Sequence, residues 1–276
     1  MSTSTKFTFS LPASSVSSVA NRHLFKNNKR ALAEVLHKYN AHLIPNCYPL
    51  VRKLPEEYAD ELIYELKKKD RLTLPVNETR TMEDLTHENY IKQLILDKVT
   101  KKLSRKIPPD IHKKILDHCH SAIDRHRGTV LESITLKKLQ KEGYKVFKPV
   151  NISFTKAFDD NLVVFGKVDG LIYKDDKIHS VVEIKNRKTN FFLPEYDLDQ
   201  LAAYVFITGA EQGILVQQQN GALKKNFFSR EELMSRWEDI VFNLREPISL
   251  VEKIYLHKDD PHNKYWESLR NLYIYM

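Results

Sequence analysis

The sequence predicts an α+β protein in which a helical, lysine-rich first part leads into a central sheet that later helices flank. Three observations predict it. Up to about residue 143 the apolar residues recur at helical spacing, from Tyr144 onward short segments rich in Val, Ile and Phe alternate with turn residues, and the chain after Arg230 returns to helical spacing. Length allows one large domain or two small ones, and no repeat, low-complexity tract or flexible linker divides the chain. The economical reading is one α+β unit: residues 1–115 as a basic helical region not clearly independent of the rest, residues 116–276 as the core with its C-terminal helices.

The elements follow in order. Residues 15–40 carry Val16, Val19, Ala20, Leu24, then Leu32, Val35, Leu36 and Tyr39, a helical pattern broken near Lys26–Asn28. Pro45, Pro49 and Pro55 mark a loop. Helices are expected over EEYADELIYELKKK, MEDLTHENYIKQLILDKVTKKL and DIHKKILDHCHSAIDRHRGTVLESITLKKLQKEG. KVFKPVNISF, NLVVFGKVDGLIY and KIHSVVEIK then read as successive antiparallel strands, separated by turns at Phe158–Asn161 and Lys174–Lys177. Pro194 opens a helix that Gly209 closes, and GILVQQQ and ALKKNFF form a hairpin about Asn220-Gly221. EELMSRWEDIVFNLREPISLVEKIYLHK and NKYWESLRNLYIYM end the chain as helices.

Composition narrows the function. With 42% hydrophobic and 29% charged residues the chain is globular rather than disordered. Its 7 glycines form no phosphate-cradling loop, and its 2 cysteines, Cys47 and Cys119, make no disulfide framework. No apolar run suits a membrane span and no secretory signal is apparent, so the expectation is a soluble intracellular protein, cytoplasmic or nuclear according to host, with no membrane partner. The net charge of +8 is one-sided: residues 1–115 hold 21 of the 44 Lys and Arg but only 13 of the 36 Asp and Glu, leaving 23 of each for residues 116–276. Such a basic face suits a phosphate-rich partner, although a solvated Lys-rich surface explains it equally well. The basic runs at 67–71 and 101–106 carry the same two readings.

The informative stretch is GKVDGLIYKDDKIHSVVEIKNR. Asp169 ends one expected strand; Glu183 and Lys185 stand two apart on the next, hence on one face, among Val181, Val182 and Ile184. Two carboxylates and an ammonium in an apolar strand pair are costly to bury unless paired or bound to a cation. Oxygen ligands without His or Cys suit Mg²⁺, with Mn²⁺ able to replace it, and such an ion would lower the pKa of a bound water and stabilise charge on a phosphodiester. Lys185 would hold or help deprotonate the attacking water. Upstream, Glu132 lies one turn into a helix beginning near Arg127-Gly128; downstream, Gln200 and Tyr204 share a helix face. Each has a plainer reading: Glu132 as a surface carboxylate, Asp169-Gly170 as a turn, Glu183 and Lys185 as a structural ion pair, Tyr204 as packing. The stretch DHCHSAIDRH lacks closing geometry for zinc, because His118, Cys119 and His120 radiate around a helix.

The order G-T-x-x-E, V-D-G, E-I-K, then Q-x-x-x-Y before Ile-Thr-Gly resembles the phage lambda exonuclease family, the YqaJ-type viral recombinase or alkaline exonuclease group of the PD-(D/E)xK superfamily. PASSVSSVANR also resembles that family's entry to its first helix, so the likeness spans residues 12–30 and 125–220 and leaves 41–110 unmatched. The resemblance implies a restriction-endonuclease-like core with a central mixed or antiparallel sheet, and metal ligation by Glu132, Asp169, Glu183 and the backbone carbonyl of Ile184. It further implies catalytic roles for Lys185, Glu183, Asp169 and Gln200, and Ser14 near DNA phosphates. Asn186-Arg187 stands where the family has Cys-Pro, and the Arg that grips a terminal 5′ phosphate is missing; Arg22, Lys26, Lys29 and Arg30 stand in as expected DNA contacts, with Arg187 and Tyr204. The expected activity is a Mg²⁺-dependent deoxyribonuclease, a 5′-to-3′ exonuclease on duplex DNA in recombination, repair or replication. The expected partners are DNA as duplex ends or single strands, a recombination or replication protein, and further copies of the chain in a trimer. Two alternatives stay open: a structure-specific or single-strand endonuclease on the same fold, and a non-catalytic nucleic-acid-binding protein.

Overall fold

The computed structural model describes residues 7–45, 64, 81–103, 109–187, 190–260 and 262–274. The helix expected over EEYADELIYELKKK lies outside the described residues except for Tyr64, as do the basic run at 67–71 and part of that at 101–106.

The chain enters on a strand that helical spacing does not anticipate. β1 (Phe9–Pro12) buries Phe9 and Leu11 completely and Phe7 nearly so, an alternation too short to stand out beside the helical pattern that follows. A 3₁₀ turn (Ala13–Ser15) leads into α1 (Val16–Val19), and α2 (Asn28–Tyr39) begins at Asn27, whose side chain accepts from the Arg30 N–H. α3 (Met82–Leu103) has the bounds that periodicity gave, α4 (Pro109–Lys141) ends two residues before its expected end, and α3 packs on α4. The later end of α4 rests on the sheet through Leu136 and Leu139.

β2 (Val146–Phe147), β3 (Phe154–Ala157), β4 (Leu162–Gly166), β5 (Gly170–Lys174) and β6 (Lys177–Asn186) follow, but not as one meander. β3 pairs antiparallel with β4, which pairs on its other edge in parallel with β1; β5 pairs antiparallel with β6 in a second sheet. The expectation of successive antiparallel strands holds within each pair and is corrected between them. β1 captures β4, and Lys167–Asp169 carry the chain from one sheet to the other.

α5 (Glu195–Thr208) is a crossover, stopped by Gly209 in the left-handed region at φ 73°. It returns the chain to β7 (Gln212–Gln219), which pairs in parallel with β6. β8 (Ala222–Ser229) closes a hairpin across Asn220 (φ 46°) and Gly221 (φ 86°), the positive dihedrals that an Asn-Gly turn favours. The five-stranded order is β2-β5-β6-β7-β8. α6 (Arg230–Leu256) starts at a capping box of Ser229 and Glu232, and α7 (Lys264–Ile274) follows.

The protein is thus α+β, with mixed sheets flanked by helices. Val182, Ile184, Ile214 and Val216 face α4, whereas Val181 and Leu215 belong to the larger core with α1, α2, α5 and α6. α5 packs on β6 and β7 and also on β3 and β4 of the small sheet. Among the described residues no helix is long and apolar enough to cross a membrane.

Close approach of α5 and α6 to β7 depends on Gly213. A Cβ there would stand 2.5 Å from Leu233 Cδ1 and 2.9 Å from two Leu201 atoms, both side chains being buried. Gly213→Ala is expected to cost about 1–3 kcal/mol, the usual range for overpacking a tight core, measured by urea denaturation. An unchanged midpoint would mean that the helices stand further from the sheet.

Candidate active site

β6 delivers the central pair. Alternation along the strand turns Val182 and Ile184 toward α4 and Glu183 and Lys185 toward α5. Glu183 is 3% exposed. Its Oε1 lies 2.8 Å from Lys185 Nζ, and Lys185 also donates to Gln200 Oε1 at 2.8 Å. Gln200 in turn donates to the Tyr204 hydroxyl at 2.9 Å, as two residues one turn apart on α5 allow. Lys185, Gln200 and Tyr204 therefore form one hydrogen-bonded line.

Asp169 enters from the link before β5. Because Gly170 pairs with Val182, Asp169 arrives where the ladder ends beside Glu183, and its Oδ2 accepts from the Ile184 N–H at 2.8 Å. Gly170 permits this placement, since a Cβ there would come within 2.8 Å of Val146 and 3.1 Å of Leu136. Glu132 comes from α4, which Asn186 Nδ2 ties to the end of β6 through the Gly128 carbonyl at 3.1 Å. Its carboxylate pairs with Lys148 at 3.5 Å.

Electrostatics bind these groups into one site. Burial, and then the charge of Glu132, raise Asp169 to about 6. Burial, and then Asp169, raise Glu183 to about 8. Glu132 is raised chiefly by burial, with Lys148 opposing and Glu183 adding to the rise. For Lys185 burial would lower the value, but Glu183 and Asp197 outweigh it and push it up to about 12. The neighbouring carboxylates thus favour the charged form of Lys185, which suits its holding a water or phosphate oxygen.

The donor set fits a hard divalent cation on one observation in particular. Glu183 Oε2 is buried without a hydrogen-bond donor, and the Asp169 carboxylate, held on the same strand by the Ile184 N–H, adds to burial in disfavouring the charged form of Glu183. A cation between them would serve in a proton's place. The present contacts are not those of a closed ligand cage: among the described residues no three His, Cys, Asp or Glu side chains form a metal cluster. Glu132 is held toward Lys148, and Glu183 toward Lys185.

The remaining expected residues divide into a bound group and an exposed group. Arg22 is committed to Asp199, Nε to Oδ2 at 3.1 Å, and Arg187 pairs with Asp197 while its guanidinium lies 4.4 Å from the Phe192 ring centre. Tyr204 is 5% exposed and packs beside Gly166. Ser14, Lys26, Lys29 and Arg30 are exposed, the last alongside Glu34. The segment carrying Lys26 docks on the start of α5 by stacking His23 on Tyr196, with ring centres 4.2 Å apart.

Sequence reasoning missed Asp197 and Asp199. Both are buried, and Asp199 is gripped by Arg22 and by Arg236 Nε at 2.7 Å. An acidic residue in a first helical turn, as Asp197 is, ordinarily reads as a solvated partner of the helix dipole, and Asp199 follows it two residues on. Lys148 was missed because it lies in an irregular link after β2.

No family model matches the chain, and no curated protein matches it. Among solved structures it is similar to the crystal structure of SSO0001, at 18% identity and TM-score 0.34 over 60% of this chain and 92% of that one. It is also similar to an alkaline exonuclease, LHK-Exo, from Laribacter hongkongensis, at 17% identity and TM-score 0.36 over 46% of this chain and 70% of that one. Likeness at this level carries no functional argument, and a functional reading has to rest on the chemistry of Asp169, Glu183 and Lys185.

Proposed function

We propose that the protein is a metal-dependent deoxyribonuclease that hydrolyses DNA phosphodiester bonds, acting 5′ to 3′ on duplex ends in recombination, repair or replication. The observation that supports it best is the buried Glu183 carboxyl, its Oε2 without a donor and its Oε1 2.8 Å from the Lys185 ammonium, with a second acid, Asp169, held on the same strand by the Ile184 N–H. A structural ion pair would need one carboxylate, not two held out of water.

Asp169 and Glu183 would hold Mg²⁺ or Mn²⁺, with Glu132 and the Ile184 carbonyl completing the set. When bound, the ion would supply charge stabilisation at the phosphate and a more acidic water. Lys185, anchored by Gln200, presents a fixed positive charge where negative charge grows during attack on phosphorus. Tyr204 keeps Gln200 in its orientation through the 2.9 Å hydrogen bond. Exposed Lys26, Lys29 and Arg30 suit contacts to the DNA backbone.

The test is digestion of linear, nicked and circular DNA, labelled at 5′ or 3′ ends, with Mg²⁺, Mn²⁺ or EDTA. Mononucleotides released from labelled 5′ ends only with metal are expected. Cutting of circular single strands would replace the exonuclease reading with that of an endonuclease, and no release from any substrate would leave a non-catalytic DNA-binding protein.

A further inference from the structure

We propose that Asp197 is a positioning residue for the reaction, its buried carboxylate shared between Lys185 and Arg187 so as to hold the Lys185 ammonium in one place; this rests on the nuclease reading above. A lysine ammonium has three N–H donors on a flexible stem. Glu183 Oε1 and Gln200 Oε1 each take one at 2.8 Å, whereas Asp197 Oδ1 at 3.6 Å is beyond hydrogen-bond reach. Asp197 therefore acts on the ammonium by charge alone. It restrains Lys185 without consuming the third donor, which remains for a water or a phosphate oxygen. Whenever Glu183 is engaged elsewhere, Asp197 is the carboxylate that still retains the cation.

Anchoring of the helix does not explain a buried acid at this position. Asp199, two residues on, already locks the start of α5 to the turn after α1 through Arg22 and to α6 through Arg236. Asp197 instead stands one turn before Gln200, and the two side chains converge on the same ammonium from one helix face. Its other oxygen is held by Arg187, whose own direction is set by the Phe192 ring. The carboxylate is thus fixed before it fixes Lys185.

The experiment compares wild type, Asp197→Asn, Arg187→Gln and the double variant, using single-turnover cleavage of end-labelled duplex with Mg²⁺ and DNA affinity in EDTA. Asp197→Asn is expected to lower the single-turnover rate about 10- to 100-fold, as small misplacements of a reacting group do. DNA affinity should stay within about twofold, a split between rate and binding that a purely structural role would not give. If Asp197→Asn fails to fold, the double variant, which leaves no lone buried guanidinium, carries the test against Arg187→Gln alone. A rate for Asp197→Asn equal to wild type, or a double variant no slower than Arg187→Gln, overturns the proposal while the nuclease reading stands. An inactive wild type overturns both.

Discussion

Lys185→Ala is expected to slow DNA hydrolysis by about 10²–10³-fold, the usual effect of removing one fixed donor from the place where transition-state charge develops. The loss should fall on turnover, because Lys185 is mostly buried behind Glu183 and Gln200 and offers little to DNA in the ground state. Removal of the ammonium leaves Glu183, already disposed to stay protonated, without its nearest counter-charge. That carboxyl then neutralises instead of remaining as a lone buried charge, so the variant should still fold near neutral pH. Turnover and binding measured side by side check this: a variant that binds DNA in EDTA as wild type does, yet hydrolyses it hundreds of times more slowly, is the expected result. Near-normal turnover would reduce Lys185 to a structural partner of Glu183.

What the sequence made legible follows the range of the interactions concerned. α3, α4, α5 and the β7–β8 hairpin were readable because local rules specify them: helical spacing, Pro194 and Gly209 at the two ends of α5, and Asn220-Gly221 at the turn. β1 was not, since four residues with three buried side chains carry little local signal until β4 supplies the partner edge. Division of the strands between two sheets was hidden for the same reason, being decided by which edge is free rather than by any turn.

The site divides along the same line. Glu183 and Lys185 were visible as charges two apart in an apolar strand, and the structure brings Asp169, Gln200 and Tyr204 to them. Arg22 read as a DNA contact because it stands in for the family's missing phosphate-gripping Arg, while its actual partner, Asp199, is 177 residues away. Asp197, an acid near a helix start, becomes distinctive only with Lys185 and Arg187 on either side of it. Charge in the sequence thus located the chemistry. The pairing of that charge, set by tertiary contacts, decides which cations remain for a substrate.

Glu183→Gln should give opposite effects on activity and stability, and their pH dependence tests the cation reading without any turnover assay. Activity should be lost with the carboxylate. In EDTA, however, the variant should be the more stable protein at pH 8. Glu183 is raised from an ordinary 4.5 to about 8 in the fold, so the folded state holds a proton that the unfolded chain releases. The stabilisation linked to that proton is complete below about pH 4.5 and is lost as pH rises through about 8, at a limiting slope of about 1.4 kcal/mol per pH unit. Asp169, raised to about 6 from 3.8, adds its own loss over the lower part of that range. Glutamine cannot ionise, and its amide can donate to Asp169 while its carbonyl accepts from Lys185. Wild type and variant should therefore unfold at similar urea concentrations at pH 5, with the variant ahead by a few kcal/mol at pH 8. Added Mg²⁺ or Mn²⁺ should then narrow the gap by stabilising wild type alone, since a ligand that binds only the folded state raises its stability by mass action. A wild type whose stability is flat from pH 5 to pH 8 in EDTA, or which gains nothing from either metal, would show that Glu183 and Asp169 do not share a site built for a cation.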